Sequence, residues 1–363
     1  MRAGPRSLPR SILDAGAYLT VRTAAAAVGA APLDDACRAA RALARAYGSL
    51  RMNRRRVARA HGNLRAAFPD WSEDQVRHTA IQSYEHLFEL GVEFIQAPRI
   101  LTDDSWPTHL ELHDIAPAVR TLVGSGPCVL ITGHCGNWEM LGYTVALLGF
   151  PMYALYRPLD LPPLDRWVRR VRERRGLAVV DKFGALRRLP ALVAGGAPVG
   201  FVADQNGGDR GVFVPFFNRL VSTYKSIGLL AMQFNATVVC SAARRIPPEE
   251  RSVRGGLGYR VEMTDCFGPA DWLGHPDPLF YLTARYRRAI EVMVRRAPEQ
   301  YLWMHRIWRS RPRHERMGKP FPGSLLEKIR LLPWVGEAEL GAILEHSRRD
   351  AATLAETGQD KLS

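Results

Sequence analysis

A chain of 363 residues, 47% of them hydrophobic, holds enough apolar material for a large core, which excludes a disordered or fibrous protein. Its formal charge of +14 is unevenly placed: residues 1–65 hold thirteen arginines, no lysine and three aspartates, or +10 of the total. The five cysteines (Cys37, Cys128, Cys135, Cys240 and Cys266) are scattered without a CxxC pair. That pattern excludes a disulfide framework and a cysteine zinc site, and it fits a reducing compartment.

The basic arm suits an anionic membrane surface or nucleic acid. No run of 18 apolar residues is present. The best stretch, Ile12 to Leu33, is alanine-rich and interrupted by Asp14 and Arg22, so it reads as an interfacial helix with basic flanks. It also lacks the small-residue cleavage pattern of a secretory signal. Residues 34–59 read as one Ala/Arg-rich helix. Ser72-Glu73-Asp74-Gln75 is a capping box opening a helix to about Gln96. Val76, Ala80, Tyr84, Leu87 and Phe88 recur there at helical spacing and face a core. Glu85, His86, Glu89 and Glu93 on the same helix are expected to be solvated or capping.

From Cys128 onward, strand and helix signals alternate. Strands are expected at 127–132, 152–157, 177–180, 199–203, 236–240 and 259–266, the last as an edge strand. Helices are expected at 138–149, 163–175, 185–194, 222–234 and 278–295. The alternation predicts an α/β fold, a mostly parallel sheet with helices on both faces, after an N-terminal helical region. Beyond Arg309 the chain gains Pro and Arg, with one amphipathic helix expected around 337–355.

The chain is organised around Gly133-His134-Cys135-Gly136-Asn137-Trp138-Glu139. An apolar strand precedes it and a helix follows, with Asn137 as N-cap and Glu139 in the first turn. His134 therefore lies at the carboxyl end of a strand, where open α/β sheets place their chemistry. The corner lets the imidazole fold back toward the Glu139 carboxylate as a base–carboxylate pair. The bare His-x4-acid pattern is weak, since ten histidines and 36 acids in 363 residues make about one chance match. His109 with Asp114 is a second instance, and a core histidine bonded to backbone is the plain alternative for His134.

The whole Gly-His-x-Gly-Asn-Trp-Glu stretch resembles the signature of the lipid A biosynthesis acyltransferase family, the lauroyl/myristoyl transferases. Further ordered matches support the resemblance over roughly residues 60–315. Asn63-Leu64 precedes Phe68-Pro69, Tyr156-Arg157-Pro158 ends a strand, and Asp204-Gln205 is followed by a glycine turn and Val212-Phe213-Val214-Pro215-Phe216-Phe217. Asn218 stands where the family has a final glycine and tolerates the same positive φ. Pro298 to Arg306 matches the closing motif. Relatives often carry an N-terminal membrane helix, and this chain departs from that pattern.

The resemblance implies His134 as general base and Glu139 as its partner. It implies a bidentate phosphate contact for Arg157, with Asp204, Asn137 and Lys225 as the other substrate-binding candidates. Lys225 lies where a helix opening at Ser222 would offer free N–H groups. Asp204 otherwise reads as a turn residue, and Cys135 as a variable position rather than a nucleophile. Oxyanion donors are Arg157 or backbone N–H groups after His134.

Walker A, GxGxxG and GxSxG motifs are absent, which excludes a P-loop nucleotide site, a dinucleotide fingerprint and a serine hydrolase. His109 and His113 have metal-like spacing without a third ligand, so neither a metal nor a cofactor is expected.

The expected protein is a membrane-associated O-acyltransferase. Its donor is acyl carrier protein or acyl-CoA, received by the basic helix with Arg166, Arg169, Arg170, Arg172, Arg174 and Arg175. Its acceptor is a glycolipid, foremost a lipid A precursor, or else another lyso- or glycolipid. The expected layout is a basic membrane-association region at 1–105, a catalytic domain at 106–315 and a tail at 316–363, held peripherally on the cytoplasmic face of the inner membrane. A non-catalytic membrane- or nucleic-acid-binding protein is the rival from another class. Interleaved aromatics and RNA motifs are missing, so no nucleic acid is expected as partner. A thioesterase, with water in place of the acceptor, is a third reading.

Overall fold

In a computed structural model of the chain, residues 8–362 are described, except 175, 182 and 252–255 and the side chains of 8–12 and 186. The first seven residues of the basic arm and Arg175 of the basic helix therefore lie outside the described residues.

Four helices come first: α1 (Leu8–Ala30), α2 (Leu33–Ser49), α3 (Arg54–Ala67) and α4 (Glu73–Ile100). The expected stretch Ile12 to Leu33 is divided because Pro32 lacks an amide donor and sits as the N-cap of α2. The expected helix over 34–59 likewise breaks at Leu50, whose backbone is extended. The Ser72 capping box forms, with the Gln75 amide and side chain both engaged. Among the described residues, no helix is long and apolar enough to cross a membrane.

Strand and helix then alternate through β1 (Leu110–His113), α5 (Ala116–Val123), β2 (Cys128–Thr132), α6 (Trp138–Leu147), β3 (Met152–Tyr156), α7 (Pro162–Glu173), β4 (Leu177–Asp181), α8 (Ala185–Ala194) and β5 (Val199–Val202). A hairpin of β6 (Val212–Phe216) and β7 (Arg219–Thr223) follows, then α9 (Lys225–Gln233), β8 (Thr237–Arg245), β9 (Tyr259–Phe267), α10 (Pro269–Trp272) and α11 (Pro278–Arg296). The tail adds α12 (Arg313–Arg316), α13 (Gly323–Arg330) and α14 (Glu337–Thr357).

The fold is α/β, as the alternation predicts. Seven strands run in the order β1-β9-β8-β2-β5-β3-β4, parallel except for the β8–β9 pair. Near-continuous apolar strands such as Cys128–Thr132 require cover on both faces. The larger core cluster joins Val129, Ile131 and Phe201 to Leu189 of α8, Ile227 of α9 and Ile290 of α11. On the opposite face, Met140, Leu141 and Tyr143 of α6 pack with Ala243 and Val261.

Three expectations need correction. β9 lies between β1 and β8 rather than at an edge, because the unforeseen strand β1 pairs beyond it. The helix expected from Ser222 begins at Lys225, since Ser222 and Thr223 are buried residues of β7. The glycine turn after Asp204 leads into the unforeseen β6–β7 hairpin. Its two-residue loop, Phe217-Asn218, has φ of 51° and 53° at both positions, the geometry whose twist matches a hairpin. Asn218 adopts it readily, and Phe217 is held there by its amide donating to Glu291 (2.8 Å).

The amphipathic helix of the tail is α14, docked through Leu340, Ile343 and Leu354. Asp350 accepts from Arg219 at 2.5 Å and pairs with the fully buried Arg311 at 2.7 Å.

Candidate active site

The turn after β2 is fixed by backbone geometry that only its own residues permit. Gly136 has φ of +61°, and a Cβ there would run into the Ala243 carbonyl. A Cβ at Gly133 would sit 2.8 Å from the Ile290 methyl. Neighbouring elements take up the turn's polar groups. The Gly136 amide donates to Gln300 O (3.0 Å), the Asn137 amide to Ala243 O (2.7 Å), and Leu302 donates to His134 O (3.1 Å).

His134 is held at both ends by one carboxylate. Its amide donates to Asp204 Oδ2 (2.8 Å), and its Nδ1 lies 2.6 Å from Asp204 Oδ1. Burial alone would raise the Asp204 carboxyl. The hydrogen bond and charge interaction with His134, then the Arg287 guanidinium, outweigh that and hold it well below the usual carboxylate range. An ionised carboxylate only accepts, so Nδ1 is the donor in this contact, and in the neutral imidazole that tautomer leaves the Nε2 lone pair free. The ring is 14% exposed, against 0% for the Asp204 side chain. Trp138 and His305 stand edge-on to it, with centroids 4.9 and 4.6 Å away.

The expected contact of His134 with Glu139 gives way to this one. Glu139 instead receives the Arg172 guanidinium, with Nε at 2.9 Å and a second N–H on the other oxygen. Asn137 caps α6 by accepting from the Met140 amide (2.9 Å) and donates to Glu93 (2.9 Å). It is 2% exposed, so its side chain has no group left for substrate. Lys225 is exposed at the start of α9, outside the wall of the cavity described below. Arg157 is exposed and lines that cavity's mouth. The amides of His134, Gly136 and Asn137 are already committed to internal acceptors.

Cys135 is buried, and burial followed by the nearby acids drives its thiol far above the usual range, so it offers no thiolate. His134, Asp204 and His305 place one ligand atom each within 4.8 Å of one another. Both Asp204 oxygens and His134 Nδ1 are spent on internal hydrogen bonds, and the Arg287 guanidinium beside them disfavours a cation.

Several site-building residues escaped the sequence reading. His305 is carried on a segment whose carbonyls at Trp303 and His305 accept from Asn63 (2.7 and 2.9 Å). Burial, then the neighbouring His134, lowers its pKa to about 4, so it is neutral near pH 7. Arg287 is fully buried and donates to Ala203 O (3.1 Å). His86, Glu89 and Glu93 are buried rather than solvated. His86 Nε2 donates to Gly136 O (3.0 Å), and Arg245 bridges Glu89 and Glu93. The signal was there: Glu85, Glu89 and Glu93 share one helical face with the core stripe, and buried acids require cations. Trp303, by contrast, is core.

Beneath His134 lies a cavity of about 940 Å³ with mainly apolar walls. Strands β3 and β5 pair only at Tyr153–Val199 and Ala154–Gly200, whereas β3 follows β4 as far as Tyr156–Asp181. The sheet therefore opens between β3 and β5 at its carboxyl edge. Leu155 and Tyr156 on one side and Phe201 and Val202 on the other line the opening.

A histidine–aspartate pair thus lies at the carboxyl edge of an open α/β sheet, above a mainly apolar cavity. The chain belongs to the bacterial lipid A biosynthesis acyltransferase family, whose model matches residues 9–310. It is 28% identical over 273 residues to the lipid A biosynthesis lauroyltransferase of Escherichia coli K12, covering 73% of this chain and 82% of that one. It is 25% identical over 268 residues to the palmitoleoyltransferase of the same strain, covering 71% and 80%. A lipid A biosynthesis acyltransferase of Haemophilus influenzae is 27% identical over 274 residues, covering 73% and 81%. The protein is an acyltransferase.

Proposed function

We propose that the protein moves a fatty acyl chain from an acyl thioester, on acyl carrier protein or coenzyme A, to a hydroxyl of a lipid A precursor. The observation that carries this reading is the His134–Asp204 pair at the mouth of the apolar cavity. With the acyl chain in the cavity, the thioester carbonyl lies at the sheet edge. The acceptor oxygen attacks that carbon while His134 Nε2 takes its proton. The imidazolium that forms is stabilised by Asp204, and the tetrahedral oxyanion by Arg157. On collapse the C–S bond breaks, and the leaving thiolate recovers the proton from His134. The acceptor is itself the nucleophile, so no acyl-enzyme is required.

Glu139 holds Arg172 beside the cavity as a fixed cation for donor or acceptor phosphate. Arg166, Arg170 and Arg174 are exposed on the same helix or at its end and extend that basic surface. The test is incubation of purified protein with an acyl thioester and a lipid A precursor. One added acyl mass on the lipid, with release of free thiol, is expected. Thiol release with free fatty acid and unchanged lipid would make the protein a thioesterase.

We place the enzyme peripherally on the cytoplasmic face of the inner membrane, with the region 1–105 against the lipid. Each basic residue at an anionic bilayer contributes on the order of 1 kcal/mol, screened by salt. Exposed Leu13, Leu19 and Val21 on α1 add an apolar component. High salt or carbonate should release much of the protein from membranes, and detergent the rest. Full solubility at low salt would refute this placement.

A further inference from the structure

The inner end of the cavity is shaped by two missing side chains. Leu130, Gly200 and Ala154 are paired across β2, β5 and β3 and so face the same side of the sheet. Met152, two residues earlier on β3, faces that side too and is level with Leu177. A Cβ at Gly200 would lie 2.8 Å from Met152 Cε. A Cβ on Gly142 of α6 would lie 3.5 Å from that same methyl and 3.3 Å from Leu177. The tip of Met152 thus occupies the slot that two glycines leave between sheet and helix. Met152 is 8% exposed and forms part of the cavity wall.

Its depth suits an acyl chain. Ala154 is level with Leu130, so Met152 is level with Cys128, six residues below His134 along the sheet. At about 3.3 Å per residue that is about 20 Å, more than the roughly 15 Å of hydrocarbon that one bilayer leaflet spans. Methionine is unbranched and adaptable, so it closes an irregular slot and gives way when a neighbour grows.

We propose that Met152, seated between Gly142 and Gly200, is the stop that sets the length of acyl chain the enzyme prefers. This rests on the cavity receiving the acyl chain, as argued above. Shortening the side chain opens the slot below it. Adding a methyl at Gly200 pushes the Met152 tip back toward His134, whereas one at Gly142 crowds Leu177 beside it.

The experiment offers purified full-length enzyme a mixture of saturated acyl thioesters of graded length with a lipid A precursor, and reads the acylated products by mass. Met152→Ala should raise the share of chains one two-carbon step longer by about tenfold, the effect of two further buried methylenes. Gly200→Ala should shift the preference the other way. If Met152→Ala does not fold, as judged by thermal melting, the Gly200→Ala variant decides the matter. Active variants with the wild-type order of preference would overturn the stop while leaving acyl transfer intact. A wild-type enzyme that transfers no chain from the mixture would overturn the acyl-transfer reading itself.

Discussion

Two paired carboxylates lie beside the same cavity, and their partners differ in kind. Asp204 follows the end of β5, is fully buried, and grips both the amide and the ring of His134. Glu139 opens α6, is 15% exposed, and meets a guanidinium from α7. The first pair contains a titratable nitrogen with a free lone pair. The second contains a permanent cation with none. Proximity in sequence assigns Glu139 to His134, whereas the fold gives His134 to a residue 70 positions away. A proton-transfer site needs the pair that can change charge, and an anion site needs the pair that cannot.

Substitutions can break this comparison, and the largest effect is expected at His134. His134→Ala should lower turnover by about 10⁴-fold, the upper end for general-base catalysis, with the melting temperature little changed. Retention of more than a few per cent of wild-type turnover would remove His134 from the mechanism. Asp204→Asn should cost about 10³-fold in kcat, because an amide keeps the shape but cannot stabilise the imidazolium. A loss confined to KM would make Asp204 a substrate contact instead.

Glu139→Gln should cost less, about 10- to 100-fold, as expected for one charged hydrogen-bonded pair released from a partly exposed site. The loss should appear mainly in KM, with Arg172→Ala showing the same pattern. If Glu139→Gln matched Asp204→Asn in kcat, the two pairs would share the chemistry and the distinction would fall.

The smallest effect sharpens the comparison through pH. His305 has its pKa lowered to about 4 in the folded protein, against an ordinary 6.5. Between those values the unfolded chain binds a proton that the folded one refuses, so stability falls as pH drops. From pH 7 to 5.5 the loss is about 1 kcal/mol, and His305→Gln should remove it from the melting curves. The shift at Asp204 is in the same sense but acts at lower pH. Its depressed carboxyl stabilises the fold above the ordinary carboxylate range, and that contribution goes only in strong acid. A His305→Gln variant with an unaltered pH slope would mean that His305 does not remain neutral in the fold.

Local order made most of the sheet legible. The runs at 128–132, 152–156, 177–181 and 199–202 are short, apolar and bounded by turn residues, and all four are strands. The motif around His134 was legible because its glycines answer local demands, a positive φ at Gly136 and a close approach at Gly133. The β6–β7 hairpin was obscured because Phe217 takes a positive φ that its residue type disfavours, stabilised by Glu291 from α11. Strand β1 was obscured because four residues, one of them histidine, carry little periodicity.

The sequence by itself determined the α/β class, the strand-to-helix corner at His134, the helix cap at Asn137 and the basic character of the first 65 residues. Each depends on residues near one another in the chain: alternation of apolar runs, a capping oxygen, a local charge excess. Only the tertiary structure decided that Asp204 orients His134, that Glu139 belongs to Arg172, and that His86, Glu93 and Arg245 brace the turn from behind. Those partners come from separate strands and helices that packing brings to one edge of the sheet. A hydrogen bond of 2.6 Å between residues 134 and 204 leaves no period or spacing in the chain to mark it.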